Sequence, residues 1–127
     1  MNTKRRARAA RFVTTSLLAL WVVSFPAAAR AHASPDHADP KVGSTVSAPK
    51  QVRIWFDGDL EPAFSSIAVH GPEGATVGDG HGGVDGSDPK LLKTDTPHVA
   101  PGTYLVVWSV VSRDGHRTSG GYEFTVK

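Results

Sequence analysis

The sequence predicts a single all-β domain, built as a sandwich or a small Greek-key barrel of short strands. No window within residues 32–127 shows helical periodicity, whereas several short stretches alternate apolar and polar residues between turns rich in Gly, Pro and Asp. The most apolar stretch, Thr103 to Ser112, carries apolar side chains on both faces. That pattern is typical of a central strand covered on both sides, and we expect Trp108 within it to be buried.

The remaining strands are predicted from shorter patterns on either side of this one. Residues 32–50 are polar and proline-containing, which restricts them to a sheet edge. Gln51 to Phe56 alternates, with Val52, Ile54 and Phe56 on one face. Further strands are predicted at Ser65 to His70, Lys90 to Thr94 and Gly121 to Lys127, separated by a Gly-, Asp- and Pro-rich connection at 71–89.

The first 31 residues have the three parts of a secretory signal peptide. A basic start precedes an apolar run at 12–29, and small residues close it as Ala27-Ala28-Ala29-Arg30-Ala31. We expect cleavage after Ala31, which leaves residues 32–127 as the mature domain in the periplasm or another extracytoplasmic space. Cleavage after Ala29 and a retained membrane anchor are the competing interpretations.

Charge and cysteine content exclude several classes of function. Of the 14 basic residues, six lie in 1–31, and none of the 12 acidic residues does, so residues 32–127 carry 8 − 12 = −4 with histidines neutral. The basic character of the whole chain therefore belongs to its first segment, and no nucleic-acid partner is expected. The absence of cysteine excludes a disulfide framework and a thiolate metal site.

A candidate metal site combines the start of the mature chain with the connection after the long strand. Asp114 and His116 are two residues apart, and in extended chain such side chains leave on the same face. Cleavage after Ala31 would give His32 a free amine beside its imidazole, a pair that can chelate one metal ion. Three nitrogens and one oxygen suit Cu(II). A polar hairpin turn is the competing interpretation of Asp114 and His116.

The other histidines are interpreted as solvated or strand-end residues: His37, His70, His81 and His98.

Several short motifs follow one another along the chain in an order and spacing that are more specific than each motif alone. They are Ala31-His32-Ala33, Pro40 and Gly43, Leu60-Glu61-Pro62-Ala63-Phe64-Ser65, Pro101-Gly102-Thr103-Tyr104, Trp108, Ser112-Arg113-Asp114-Gly115-His116, and then Gly120, Phe124 and Val126. In these features the chain resembles the CopC-like family of periplasmic copper-binding proteins from bacterial copper resistance. The resemblance implies an Ig-like or cupredoxin-like Greek-key β-sandwich and one Cu(II) site formed by His32, Asp114 and His116. Pro35 and Ala38 depart from the family pattern, and the Met-rich Cu(I) site of some members has no counterpart.

The expected function is therefore that of a non-enzymatic Cu(II) carrier or buffer in copper resistance or copper uptake. We expect a monomer that holds one Cu(II) per chain, with a membrane copper importer as a candidate partner. Two other classes remain open. One is a copper oxygenase built on an N-terminal histidine brace, and the other is a β-sandwich adhesion or assembly module in which Asp114 and His116 are only turn residues.

Overall fold

The computed structural model describes residues 32–78 and 80–127. Within this part of the chain, short alternating stretches form eight β-strands, arranged in two sheets. In chain order the strands are β1 (Pro35–Asp39), β2 (Thr45–Val46), β3 (Gln51–Phe56), β4 (Ser66–His70), β5 (Gly83–Val84), β6 (Leu91–Asp95), β7 (Gly102–Val111) and β8 (Arg117–Val126). Two 3₁₀ turns, Pro62–Phe64 and Pro72–Gly74, are the only helical segments in the described part of the chain. The predicted all-β class is confirmed.

The two sheets enclose one apolar core. The first has the strand order β1-β3-β6-β5 and the second β2-β8-β7-β4. Neighbouring strands are antiparallel except for the short β2, which lies parallel to β8. The core takes alternate residues from both sheets, with Ile54 and Leu92 from the first and Val106 and Phe124 from the second. The β-sandwich predicted from the sequence is therefore confirmed.

The long strand β7 is central, as predicted, but only one of its faces is fully covered. It lies between β4 and β8, and Tyr104, Val106 and Val110 point into the core. On the outer face Leu105 is 40% exposed, because nothing in the described part of the chain forms a further layer over this face of the antiparallel sheet. The prediction that both faces are covered was wrong.

Trp108 also differs from its prediction, because it is half-buried. Its ring packs edge to face on Phe56, with ring centroids 5.2 Å apart. The rest of the indole lines a cleft of about 280 Å³ between β1 and β8, together with Gly120 and Tyr122. The sandwich is open on this side, so the ring keeps contact with solvent.

The hairpin between β7 and β8 is tighter than the sequence predicts. The predicted last strand began at Gly121, whereas β8 begins at Arg117 and pairs with β7 over its whole length. The Ser112 N–H donates to the His116 carbonyl (2.9 Å), and the Gly115 N–H donates to the Ser112 carbonyl (2.8 Å). Gly115 has a φ of 88°, which glycine adopts without steric cost.

The predicted signal peptide, residues 1–31, lies outside the described residues. Within the described part, no helix has the length and apolar character needed to cross a membrane.

Candidate metal centre

The β7–β8 hairpin folds around the carboxylate of Asp114. One carboxylate oxygen of Asp114 lies 2.9 Å from Nδ1 of His116, and the other accepts the His116 backbone N–H at 3.3 Å. The hydroxyl of Ser112, a buried residue, donates a short hydrogen bond to the same carboxylate. Asp114 and His116 are thus in direct contact, but the chain between them turns at residues 113–115 and is not extended as the sequence analysis expects. Both remain accessible, with side chains 34% and 54% exposed.

These contacts determine the charge of the Asp114 carboxylate. The hydrogen bond from Ser112, supported by the backbone and ring of His116, lowers the pKa of Asp114 to about 2, although partial burial opposes the shift. The carboxylate is therefore ionised throughout the neutral range. A ring nitrogen that faces a carboxylate at this distance carries the proton, which leaves Nε2 of His116 as the acceptor for a metal ion.

His32 lies beside this hairpin although it comes from the other end of the described chain. The rings of His32 and His116 meet edge to face, with centroids 4.5 Å apart and an interplanar angle of 89°. The next residue, Ala33, is 2% exposed and belongs to the core, so the segment behind His32 is anchored while His32 itself is exposed. The three residues predicted as metal ligands are therefore neighbours.

Their donor atoms do not yet converge on one point. Among residues 32–78 and 80–127, no group of three His, Cys, Asp or Glu side chains has the arrangement of a ready metal site. The reason lies in the pair just described, since the Asp114 carboxylate is directed at Nδ1 of His116. Two imidazoles and a carboxylate in contact are nevertheless donors that suit Cu(II). The assignment of His32, Asp114 and His116 as ligands stays a prediction.

The other histidines lie apart from this cluster. His37 is exposed and stacks on Trp55, with centroids 4.4 Å apart, while its Nδ1 lies 2.9 Å from the Asp36 carboxylate. His98 lines a cleft with Gly78, Asp95 and Pro97 at the end of the sandwich where β7 begins, and the hairpin lies at the other end of β7.

Sequence reasoning missed the residues that support the site. Thr118 donates from Oγ1 to the Ala33 carbonyl at 3.0 Å, and Asp57 accepts the Ser34 N–H at 2.7 Å. The Asp57 N–H in turn donates to the Ser34 carbonyl at 3.0 Å. Thr118 could have been found from the sequence, because it is two residues beyond His116, and side chains at that spacing leave an extended chain on the same face. Asp57 could not, because its contact with Ser34 depends on the register between β1 and β3.

Comparisons with known proteins give a consistent result. Residues 36–127 match the family model described as the CopC domain. The chain is 34% identical to Protein YobA of Escherichia coli (strain K12), covering 99% of this chain and 98% of YobA. It is 32% identical to Copper resistance protein C of Escherichia coli, covering 78% of this chain and 84% of that protein. It is also 30% identical to Copper transport protein CutJ of Bacillus subtilis (strain 168), where 87% of this chain covers only 21% of the longer protein.

Two solved structures have the same fold. The crystal structure of CopC from Methylosinus trichosporium OB3b superposes with a TM-score of 0.69 at 39% identity, covering 76% of this chain and 94% of that one. The crystal structure of PcoC, a methionine-rich copper resistance protein from Escherichia coli, gives a TM-score of 0.66 at 31% identity, covering 76% of this chain and 100% of that one. The aligned part of this chain therefore corresponds to nearly the whole of both solved chains.

Proposed function

Because this chain belongs to the CopC family, we propose that it is an exported carrier or buffer that binds one Cu(II) ion outside the cytoplasmic membrane. The observation that carries this proposal is the contact between His32 and His116, whose rings lie 4.5 Å apart beside the ionised Asp114. Residues from the two ends of the mature chain would have no structural need to place two imidazoles and a carboxylate together at the surface. Binding of one cation by all three side chains would explain why they lie together.

Each ligand has a defined part in the proposed site. His32 supplies its amine and its Nδ1, His116 supplies Nε2, and Asp114 supplies negative charge and an oxygen. The amine exists only after cleavage behind Ala31, because in the uncleaved chain the His32 nitrogen is a peptide amide. We therefore propose that residues 1–31 are a signal peptide and that the copper-binding form begins at His32. Mass determination of the exported protein tests this step directly.

The donor set favours Cu(II) over Cu(I). The chain has no cysteine and a single methionine, Met1, so the mature domain offers no soft sulfur ligand. The charged carboxylate next to His116 also favours a carrier over an oxygenase, because it occupies the surroundings of the metal that a reacting oxygen molecule would need. We propose a monomeric, non-enzymatic protein.

The recipient of the copper is proposed from one relative. The protein named Copper transport protein CutJ is similar to this chain over only 21% of its own length, so it carries much additional sequence. A domain of this kind therefore occurs joined to a copper transport protein. We propose that the present chain exchanges copper with a membrane copper importer as a separate partner.

Equilibrium titration of the exported protein with Cu(II), against a competing chelator, tests the proposal. We expect one equivalent of tightly bound Cu(II), strongly weakened by His116→Ala and weakened less by Asp114→Asn. His98→Ala is the matched control, since His98 is exposed and lies at the other end of β7. If His116→Ala binds as tightly as His98→Ala, the proposed site is wrong.

A further inference from the structure

The segment that follows His32 is held on both sides by residues outside the proposed ligand set. On one side the Thr118 hydroxyl donates to the Ala33 carbonyl at 3.0 Å. On the other side Asp57 and Ser34 exchange two hydrogen bonds, of 2.7 Å to the carboxylate and 3.0 Å from the Asp57 N–H. Ala33 itself is 2% exposed and packs in the core. All of these contacts, which together form the anchor of the segment, are made within the chain itself.

We infer that Thr118 and Asp57 are positioning residues, which set the distance between His32 and His116 by fixing the backbone of Ala33 and Ser34. The inference rests on the proposed function and goes beyond it, because neither residue would touch the copper ion. The hydrogen bonds of Thr118 and Asp57, made within the chain, would then determine where His32 lies relative to His116.

Thr118 is placed to couple the two histidines. It lies on β8, two residues beyond His116, and binds the carbonyl of the residue that follows His32. The residue directly before β8 is therefore one proposed ligand, and β8 itself holds the main chain next to the other. Only the His32 residue itself remains outside the anchor, so little conformational freedom is lost when its donors bind. An unanchored tail would have to lose that freedom on binding.

The chain next to the anchor is also close to neighbouring backbone. A Cβ added at Gly58 would lie 4.0 Å from the Ala33 Cβ, which is ordinary van der Waals contact. Directly after the anchor, Pro35 begins the pairing of β1 with β3 opposite Phe56. The pairing of β1 with β3 therefore starts three residues after His32, with a register shift between Pro35 and His37.

A purely structural role is the alternative, and paired variants of the exported protein distinguish the two. Thr118→Val keeps the branched shape and removes the hydroxyl, whereas Thr118→Ser keeps the hydroxyl. We expect Thr118→Val to weaken Cu(II) binding by about tenfold, the scale found for residues that orient metal ligands, and Thr118→Ser to restore wild-type affinity. In the metal-free protein, amide hydrogen exchange at Ser34 should be faster in Thr118→Val alone. Unchanged affinity and unchanged exchange in Thr118→Val would overturn the inference.

Asp57 provides an independent pair. Asp57→Asn keeps an oxygen that can accept the Ser34 N–H, whereas Asp57→Ala does not, and both remove the charge. We expect Asp57→Ala to weaken Cu(II) binding more than Asp57→Asn. Equal losses would assign the effect to charge and contradict a positioning role for this side chain.

Insertion of one glycine between His32 and Ala33 tests the distance itself. This variant keeps an N-terminal histidine and an intact anchor but moves the histidine one residue outward. We expect its affinity to fall to that of His116→Ala. If wild-type binding depends on His116 and the insertion has no effect, the positioning inference fails and the proposed function stands. If wild-type binding does not depend on His116, the proposed function itself fails.

Discussion

Replacing Trp108 by alanine tests the packing of the central strand. The ring is half-buried, meets Phe56 edge to face at 5.2 Å and lies against Gly120, where an added Cβ would come within 2.7 Å of the indole. Complete burial of a Trp would make the substitution cost about 3–5 kcal/mol. Because part of this ring faces the cleft between β1 and β8, we expect about half of that, roughly 2 kcal/mol.

Urea unfolding of the exported protein measures this cost. For a domain of this size, a loss of about 2 kcal/mol lowers the thermal midpoint by roughly 8–16 °C. Trp108→Phe is the control, since it keeps an aromatic ring near Phe56 and should lose clearly less. A loss below about 0.5 kcal/mol would mean that the ring contributes no packing, and a loss above about 4 kcal/mol would mean that it is fully buried after all.

Two further predictions concern the far side of the sandwich. A side chain at Gly82 would lie 2.5 Å from the Ile67 carbonyl oxygen, so Gly82→Ala should lower the free energy of unfolding in urea by about 1–3 kcal/mol. In the control Gly83→Ala the added Cβ meets no atom within 4 Å, and the loss should be far smaller. Equal losses would refute the crowding argument. The ion pair with Lys93 and the hydrogen bonds from Ser87 hold the pKa of Asp85 well below its usual 3.8. The stability that the Asp85 carboxylate contributes is therefore fully present above pH 3.8 and is lost as the pH falls below it. Asp85→Asn should lower the unfolding midpoint at pH 7 and reduce the further loss of stability below about pH 4. An unchanged loss of stability in acid would contradict this assignment.

Strict alternation made parts of the fold predictable. The bounds of β3, Gln51–Phe56, agree with the prediction because its apolar and polar residues alternate without interruption. The start of β8 was missed because residues 117–120 are polar or Gly-rich. Pairing with β7 outweighs that low strand propensity. The exposure of Trp108 depends on the open edge between β1 and β8, which no local pattern records.

The candidate site was predictable to a similar extent. The spacing of Asp114 and His116 predicted that the two side chains lie together, and they are in contact at 2.9 Å. The contact arises in a turn at residues 113–115, whereas the prediction assumed extended chain. The approach of His32 was predicted from the free amine that cleavage after Ala31 would give it and from the family resemblance, and the ring contact to His116 agrees with that prediction. The anchoring by Thr118 and Asp57 joins residues far apart in the chain, so it follows only from the pairing of the strands.

The central claim is that the mature N-terminus and the hairpin share one Cu(II) ion. A double-mutant cycle on Cu(II) affinity tests it most directly, using exported protein, a form with one glycine added before His32, His116→Ala, and the combination of both changes. We predict that each single change weakens binding and alters the electron paramagnetic resonance spectrum, and that the second change adds little to the first. Strictly additive losses, or an extended form that binds as tightly as wild type with the same spectrum, would contradict a shared site.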